Sequence, residues 1–177
     1  MLTLDRTDAL GESDRLAVRE LGRAVYPPGS FDDWPGLSME WDSPEWCVRL
    51  SVDDALVAYA GLYSRRAKLD GDRDVLVGGL GNVKTHPDHR RRGHAGDLVR
   101  RAGVFFREHG GVDFGVLVCE PELVRFYASL GWHEFAGKLI VRQRGEPVEF
   151  TLCRVMTLGV EMPAVAEGTI DLCGPPW

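Results

Sequence analysis

The stretch Val83–Gly96 reads VKTHPDHRRRGHAG and joins the end of an apolar strand to the start of an amphipathic helix. The first turn of a helix carries unpaired backbone N–H groups and a partial positive charge, so this junction predicts a binding site for a phosphate or pyrophosphate. Gly93 would let the backbone approach the anion closely, and Arg90–Arg92 would add positive charge around it. A solvated basic loop that only starts a helix is the alternative. The chain contains neither a GxxxxGK[ST] nor a GxGxxG pattern.

Strand-like segments precede this junction, and a helix and a strand follow it. Apolar runs separated by Asp-rich turns predict an antiparallel meander of three strands, over Trp46–Val52, Ala55–Ser64 and Val75–Thr85. After the junction, one helical face is apolar, with Ala95, Leu98, Val99, Ala102 and Phe106, and Gly110-Gly111 is expected to end that helix. Phe114–Cys119 is continuously apolar, which is typical of a buried strand.

The two ends of the chain complete this pattern. Ser13 is expected to cap a first helix, and Pro121 is expected to open a later one. Two further strands are predicted near Lys138–Gln143 and Val148–Thr157, followed by an irregular tail. This order of elements predicts a mixed α/β (α+β) sheet with helices on both faces, in a single domain over residues 1–177.

Composition excludes several classes of function. The formal net charge is −6, whereas a nucleic-acid binder needs a basic face, so no nucleic-acid partner is expected. The four cysteines are widely spaced and form no CxxC pair, which predicts free thiols and no metal site. The N-terminus lacks the apolar core of a signal peptide, and no apolar stretch is long enough to cross a bilayer. We therefore expect a soluble, cytoplasmic protein with no membrane partner.

Two motifs resemble those of the GNAT superfamily of N-acetyltransferases. Arg90–Ala95 matches the family's (Q/R)-x-x-G-x-(G/A) motif, and Glu120–Trp132 is similar to its FYxxxGF helix. The motifs occur in the family's order and at its separation, and the resemblance covers about residues 46–157. It implies a GNAT fold with acetyl-CoA as the co-substrate.

The resemblance also implies a role for individual residues. The backbone of Val83, Lys84 and Thr85 would hydrogen-bond the pantetheine arm of acetyl-CoA. Tyr127 would lie beside the sulfur and protonate the departing thiolate, a role that suits a phenol with a pKa near 10; an ordinary core aromatic is the alternative. The loop that would hold the pyrophosphate comprises Arg90, Arg91, Arg92, Gly93, His94, Ala95 and Gly96.

Two positions depart from the family's pattern. Glu120 replaces an asparagine that often lies near the cofactor arm. Asn82 stands where many members carry a glutamate that removes the proton of the acceptor amine. An amide cannot act as a base, although it can hold a water or a substrate group. The base, if one is needed, must come from elsewhere.

Acidic residues and the tail are the candidates for the acceptor site. The tail ends in Gly-Pro-Pro-Trp, which is stiff and apolar. It is similar to the tail of the aminoglycoside 2′-N-acetyltransferases, in which the C-terminal carboxylate reaches the substrate pocket. This second resemblance implies a catalytic role for Trp177, whereas a tryptophan that fills a surface groove is the alternative. The residues expected to bind substrate are Asp33, Glu40, Asn82, Glu146, Asp171 and Trp177.

The sequence therefore predicts an acyl-CoA-dependent N-acyltransferase that moves an acetyl group from acetyl-CoA to a primary amine. The acceptor is expected to be a small cationic molecule, a class that includes aminoglycosides. Two alternatives stay open: an enzyme that acetylates a protein N-terminus or lysine, and a CoA-binding module that has lost catalysis. The oligomeric state is open as well and includes a homodimer.

Overall fold

A computed structural model describes residues 1–30, 32–108 and 111–177. Phe31 and the expected helix stop at Gly110 lie outside the described residues. In the described part of the chain, ten strands form one mixed sheet. The strands are β1 (Leu2–Arg6), β2 (Trp46–Val52), β3 (Ala55–Leu69), β4 (Arg73–Thr85), β5 (Phe114–Cys119), β6 (His133–Glu134), β7 (Lys138–Gln143), β8 (Glu146–Glu149), β9 (Arg154–Gly159) and β10 (Thr169–Asp171). The α-helices are α1 (Glu12–Val25), α2 (His94–Glu108) and α3 (Val124–Ala128).

Strand β3 organises the sheet because it is long enough to pair with three neighbours. The strand order is β6-β9-β5-β4-β3-β10-β7-β8. The first part of β3 also pairs with β2, which in turn pairs with β1. The β4–β5 and β10–β7 pairs are parallel, and the other pairs are antiparallel. The expected meander of β2, β3 and β4 is present.

Helices cover both faces of the sheet, which confirms the predicted fold class. Neighbouring residues of a strand point to opposite faces. Cys47 of β2 accordingly lies in a small core with Tyr59 and Leu21 of α1, whereas Val48 lies in the larger core that includes α2. No helix of the described residues is long and apolar enough to cross a membrane.

Two local predictions are wrong. Helix α1 begins at Glu12 and follows Gly11, with no side-chain cap, so Ser13 lies inside the first turn and does not cap the helix. The single strand predicted over Val148–Thr157 is two strands. The reason is that β8 forms a hairpin with β7, whereas β9 pairs with β5 at the other side of the sheet.

Candidate active site

The parallel strands β4 and β5 separate at their carboxyl ends. They pair from Val77 to Leu80 of β4, and beyond Leu80 the pairing stops although both strands continue. A β-bulge in β4 accompanies this separation, because Asn82 and Val83 both lie opposite Ala60 of β3, and Asn82 has a positive φ of 54°. The separation exposes backbone groups of β4 that are available to a ligand.

A cavity of about 460 Å³ lies between the separated strand ends. This volume is in the usual range for small-molecule sites. We refer to it as the central cavity. Its lining residues are Tyr26, Trp34, Trp41, Asp42, Leu80, Gly81, Asn82, Val83, Lys84, Val118, Cys119, Glu120, Leu123, Tyr127, Cys153 and Trp177.

The loop between β4 and α2 has the geometry of an anion site. The backbone adopts positive φ at Arg91 (60°) and Gly93 (85°), which turns the chain into the helix. The first helical hydrogen bond runs from the Asp97 N–H to the Gly93 carbonyl, so the amides of His94–Gly96 precede the intrahelical ladder. Arg90–Arg92 are exposed, and within the described residues none of them forms an ion pair.

Polar atoms beside this loop fit a bound pyrophosphate and pantetheine. Within the part of the chain that the structure describes, three buried side-chain atoms have no hydrogen-bond partner: Thr85 Oγ1, His89 Nδ1 and His94 Nε2. Buried polar groups are normally paired, so such atoms indicate a polar ligand. A Cβ built at Gly93 meets no atom within 4 Å, which leaves the space in front of the helix N-terminus open. The expected pyrophosphate loop, Arg90–Gly96, follows the open end of β4 after the short turn Pro87–His89.

Tyr127 lies on α3 and reaches the central cavity from the β5 side. Its side chain is buried, and burial raises its pKa above the ordinary value, with smaller contributions from Cys119 and Tyr26. The phenol is therefore protonated throughout the physiological pH range. Among the described residues, no hydrogen bond occupies its hydroxyl, which leaves the proton available to a ligand in the cavity.

Lys84 contributes a half-buried cation to the same cavity. Its Nζ lies 5.7 Å from the centre of the Tyr26 ring, and no carboxylate in the described part of the chain pairs with it. Burial lowers the pKa of Lys84. The resemblance to the GNAT motif implied a role only for the backbone of Lys84, in binding the pantetheine arm. The motif did not indicate that the Lys84 side chain would also line the cavity.

Trp177 is inserted against β4 and β5 and is only 5% exposed. Its indole stacks on Tyr63 with ring centres 5.3 Å apart, and its Nε1 donates to the Val116 carbonyl at 3.2 Å. Gly79 and Gly81 make room for it. A Cβ on Gly79 would overlap the indole, and one on Gly81 would lie 2.9 Å from the carboxyl carbon of Trp177. The end of the tail therefore lies directly over the bulged part of β4.

Hydrogen bonds hold the rest of the tail in place. The Arg142 N–H donates to the Gly174 carbonyl and the Asp42 N–H to the Pro176 carbonyl, at 2.8 and 2.7 Å. Arg65 donates to the Pro175 carbonyl at 2.6 Å, lies over the Trp177 ring and forms an ion pair with Asp42. The tail is thus fixed to the loop before β2, to β3 and to β7.

The structure brings only some of the expected acceptor residues together. Asn82 and Trp177 line the central cavity, and the Asn82 amide donates to the Tyr63 hydroxyl at 3.2 Å. Four expected acids do not line it. Asp33 and Glu146 are exposed, Glu40 accepts from the Arg144 N–H, and Asp171 forms a bidentate ion pair with Arg142.

Other residues of the cavity were not assigned to the site from the sequence. Trp34, Trp41 and Asp42 come from the loop before β2, and Cys153 comes from the segment before β9. The clustering of tryptophans in that loop is a sequence signal, but it does not indicate which face of the sheet the loop covers. All four cysteines are free thiols. Within the described residues, no group of His, Cys, Asp and Glu side chains could hold a metal ion.

The divergent parallel strands, the helix N-terminus with its open glycine and the buried tyrosine define an acyl-CoA-dependent transferase. The chain belongs to the GNAT acetyltransferase family, since the family described as Acetyltransferase (GNAT) domain matches residues 14–135. It is therefore an acetyltransferase of the EC 2.3.1 type. A search of curated proteins finds no match.

Solved structures share the fold at low sequence identity. Escherichia coli ElaA is 20% identical with a TM-score of 0.62, covering 89% of this chain and 98% of its own. The ribosomal-protein-S18-alanine N-acetyltransferase from Escherichia coli is 19% identical with a TM-score of 0.56, covering 92% of this chain and 96% of its own. A GNAT family acetyltransferase from Brucella melitensis, solved with acetyl-CoA, is 14% identical with a TM-score of 0.57, covering 96% and 94%. At these identities the likeness concerns the fold.

Proposed function

We propose that this protein transfers the acetyl group of acetyl-CoA to the primary amine of a small molecule, with Tyr127 as the general acid. The observation that carries the proposal is that one cavity is lined by the open end of β4, by Tyr127 and by Trp177. In this arrangement the β4 backbone at Val83–Thr85 and the loop Arg90–Gly96 bind the co-substrate. The bound co-substrate supplies an activated acetyl thioester.

Tyr127 has the properties that a proton donor to a leaving thiolate needs. Its raised pKa keeps the phenol protonated, the residue lines the central cavity, and its hydroxyl has no hydrogen-bond partner among the described residues. Acyl transfer to an amine passes through a tetrahedral intermediate, and a proton given to the sulfur as its bond to the acyl carbon breaks speeds the collapse of this intermediate to the amide and the free thiol.

The proton of the acceptor amine needs a second group. Glu120 lines the central cavity, whereas the acids Glu40, Glu146 and Asp171 do not. Glu120 is exposed, so it can pass the proton to solvent. Asn82, held by Tyr63, is placed to orient the amine or a bridging water. We therefore assign the base to Glu120.

The position of the tail favours a small acceptor over a protein. Trp177 is buried, and Pro176 hydrogen-bonds to the loop before β2, so the acceptor side is a walled cavity. An open groove would suit a peptide better. In a polypeptide that ends at Trp177, the α-carboxylate would also lie over Gly81 and could bind an ammonium group. A module that has lost catalysis remains the competing proposal, because Asn82 replaces the usual base.

The test is an assay of CoA thiol release with acetyl-CoA and a library of primary amines. If Tyr127 is the general acid, Tyr127→Phe should lower turnover by about 10²- to 10⁴-fold and leave CoA affinity unchanged. Tyr59→Phe is the matched control, because Tyr59 is equally buried but does not line the cavity. Acetyl-CoA binding without thiol release for any amine or peptide would favour the inactive module.

A further inference from the structure

Two tryptophans form a continuous aromatic wall on the acceptor side of the central cavity. Trp34 and Trp41 are stacked, with ring centres 5.4 Å apart and planes inclined by 22°. Trp41 also meets Phe150 edge to face at 6.0 Å. Both indoles line the cavity, and Trp177 lines it as well. The wall comes from a loop that the GNAT motifs do not include.

The wall is held rigidly by a short turn at Pro35–Ser38. Gly36 is buried beneath Trp34, and a Cβ at this position would overlap the Trp34 ring. The Trp41 Nε1 donates to the Gly36 carbonyl at 2.9 Å, so its polar atom is satisfied inside the protein. The remaining ring surface is apolar. A rigid aromatic surface binds a flat apolar group with little loss of conformational freedom.

The charges of the cavity do not suit a polycation. Among the described lining residues, the side-chain carboxylates are those of Asp42 and Glu120, and Asp42 is already paired with Arg65. Lys84 adds a cation without a carboxylate partner in the described part of the chain. A molecule with several ammonium groups would therefore lose hydration without gaining enough partners. Four of the acids expected to bind such a molecule lie elsewhere.

We propose that the acceptor is a monoamine attached to a single aromatic ring, an arylalkylamine, whose ring lies against Trp34 and Trp41 while its nitrogen reaches the Tyr127 end of the cavity. This inference rests on the proposed function. The 460 Å³ of the cavity must also admit the acyl end of the co-substrate, which limits the acceptor to about one ring. The aminoglycoside-like acceptor is thereby disfavoured.

The experiment compares five acceptors in the presence of acetyl-CoA, and the aromatic acceptor and its saturated analogue are matched in size. The acceptors are 2-phenylethylamine, its saturated analogue 2-cyclohexylethylamine, butylamine, spermidine and an aminoglycoside. We expect kcat/KM to be highest for 2-phenylethylamine, by about three- to tenfold over the saturated analogue, because stacking adds to the burial of apolar area. Spermidine and the aminoglycoside should be the poorest acceptors. A best rate with either of these would overturn the inference and leave the N-acetyltransferase assignment intact.

Variants of the two tryptophans test whether the aromatic wall is the surface that binds the acceptor. Trp34→Leu and Trp41→Leu should each raise the KM for 2-phenylethylamine by a larger factor than the KM for butylamine. Leu37→Ala is the control, since Leu37 is on the same turn but is 64% exposed and does not line the cavity. If the variants instead change only the preference for longer acyl thioesters, the wall binds the acyl group and the inference is wrong.

A binding measurement covers the case in which no amine is turned over. Calorimetry with 2-phenylethylamine and the CoA-saturated protein should then still detect binding that Trp34→Leu weakens. In that result the inference stands while the proposed function fails. Absence of binding would overturn the inference directly.

Discussion

At the scale of single residues, Gly93 combines a left-handed backbone with open space. Its φ is 85°, and a Cβ there meets nothing within 4 Å. Gly93→Val should therefore place its side chain where the pyrophosphate binds. We expect CoA affinity to fall by about ten- to a hundredfold, the value of one lost charge-assisted hydrogen bond, measured by calorimetry.

Gly145→Val is a matched control for this change. Gly145 has a φ of 86°, also has nothing within 4 Å, and lies in the β7–β8 turn. Both variants should lose about 1–2 kcal/mol of stability through backbone strain, but only Gly93→Val should lose CoA affinity. Equal CoA affinity in the two variants would contradict the assignment of the loop.

The burial of Lys84 predicts that the difference in stability between the protein and its Lys84→Met variant depends on pH. Burial lowers its pKa in the folded state, so the unfolded chain binds more protons between the folded pKa and the ordinary value of 10.5. The penalty of burying the ammonium is complete below the folded pKa and is relieved as the pH rises through this window. Lys84→Met should therefore raise the melting temperature by a few degrees at pH 7, and the gain should vanish above about pH 10.5.

Lys138→Met serves as the comparison for Lys84→Met. The Lys138 side chain is 65% exposed and lies 3.7 Å from Glu149, so its removal should give no gain at pH 7. Thermal unfolding of both variants across the pH range tests the difference. A lower melting temperature of Lys84→Met at pH 7 would mean that the ammonium is stabilised by its surroundings.

At the scale of elements, the glycines of β4 allow side chains to pack directly on both faces of the strand. A Cβ on Gly78 would lie 2.6 Å from Phe106 of α2, and one on Gly79 would overlap Trp177 on the opposite face. Gly79→Ala and Gly78→Ala should both cost about 1–3 kcal/mol through overpacking. Only Gly79→Ala should lower kcat/KM for the acceptor, because only this change displaces the tail. Equal losses of activity in a coupled assay would argue against a role for the tail.

The elements that the sequence predicted well are those with local signals. The boundaries of β2 and β5 agree with the prediction, because turns and apolar runs mark them. Helix α1 begins at Glu12, and the residue before it, Gly11, has no side chain that could show a cap in the sequence. Strand β10 was not predicted because its three residues are stabilised by pairing with β3 and β7, which are distant in the chain.

At the scale of the whole molecule, the difference between local signals and long-range packing also separates the proposed co-substrate half of the site from the acceptor half. The proposed co-substrate half lies in one contiguous segment, Val83–Gly96, so a motif can indicate it. The acceptor half is assembled from the loop before β2, the end of β5, the segment before β9 and the last residue of the chain. Tertiary packing alone brings these together. Four of the expected acids do not line this cavity, whereas Trp177, which has an apolar reason to be buried, lines it.

The last prediction concerns the C-terminal tail, whose position depends on the packing of the whole molecule. The carboxyl carbon of Trp177 lies over Gly81, at the bulge that also presents Asn82 to the cavity. We expect the α-carboxylate of a polypeptide ending at Trp177 to bind the acceptor nitrogen. An extension that converts it to an amide should lower kcat/KM by about ten- to a hundredfold, equivalent to roughly 1.5–3 kcal/mol, with unchanged acetyl-CoA affinity.

The control for this extension is the same tag placed before Met1. The Met1 amino group donates to the Ser51 carbonyl beside the β1–β2 ladder, and neither residue lines the cavity. Truncation at Pro176 is less informative, because removal of a buried tryptophan should itself cost about 3–5 kcal/mol. The tagged and untagged proteins must therefore be compared at equal folded fraction, checked by thermal unfolding. If the C-terminally extended protein acetylates the acceptor as fast as the N-terminally tagged one, Trp177 contributes only its indole, and the acceptor nitrogen must be held by Glu120 and Asn82.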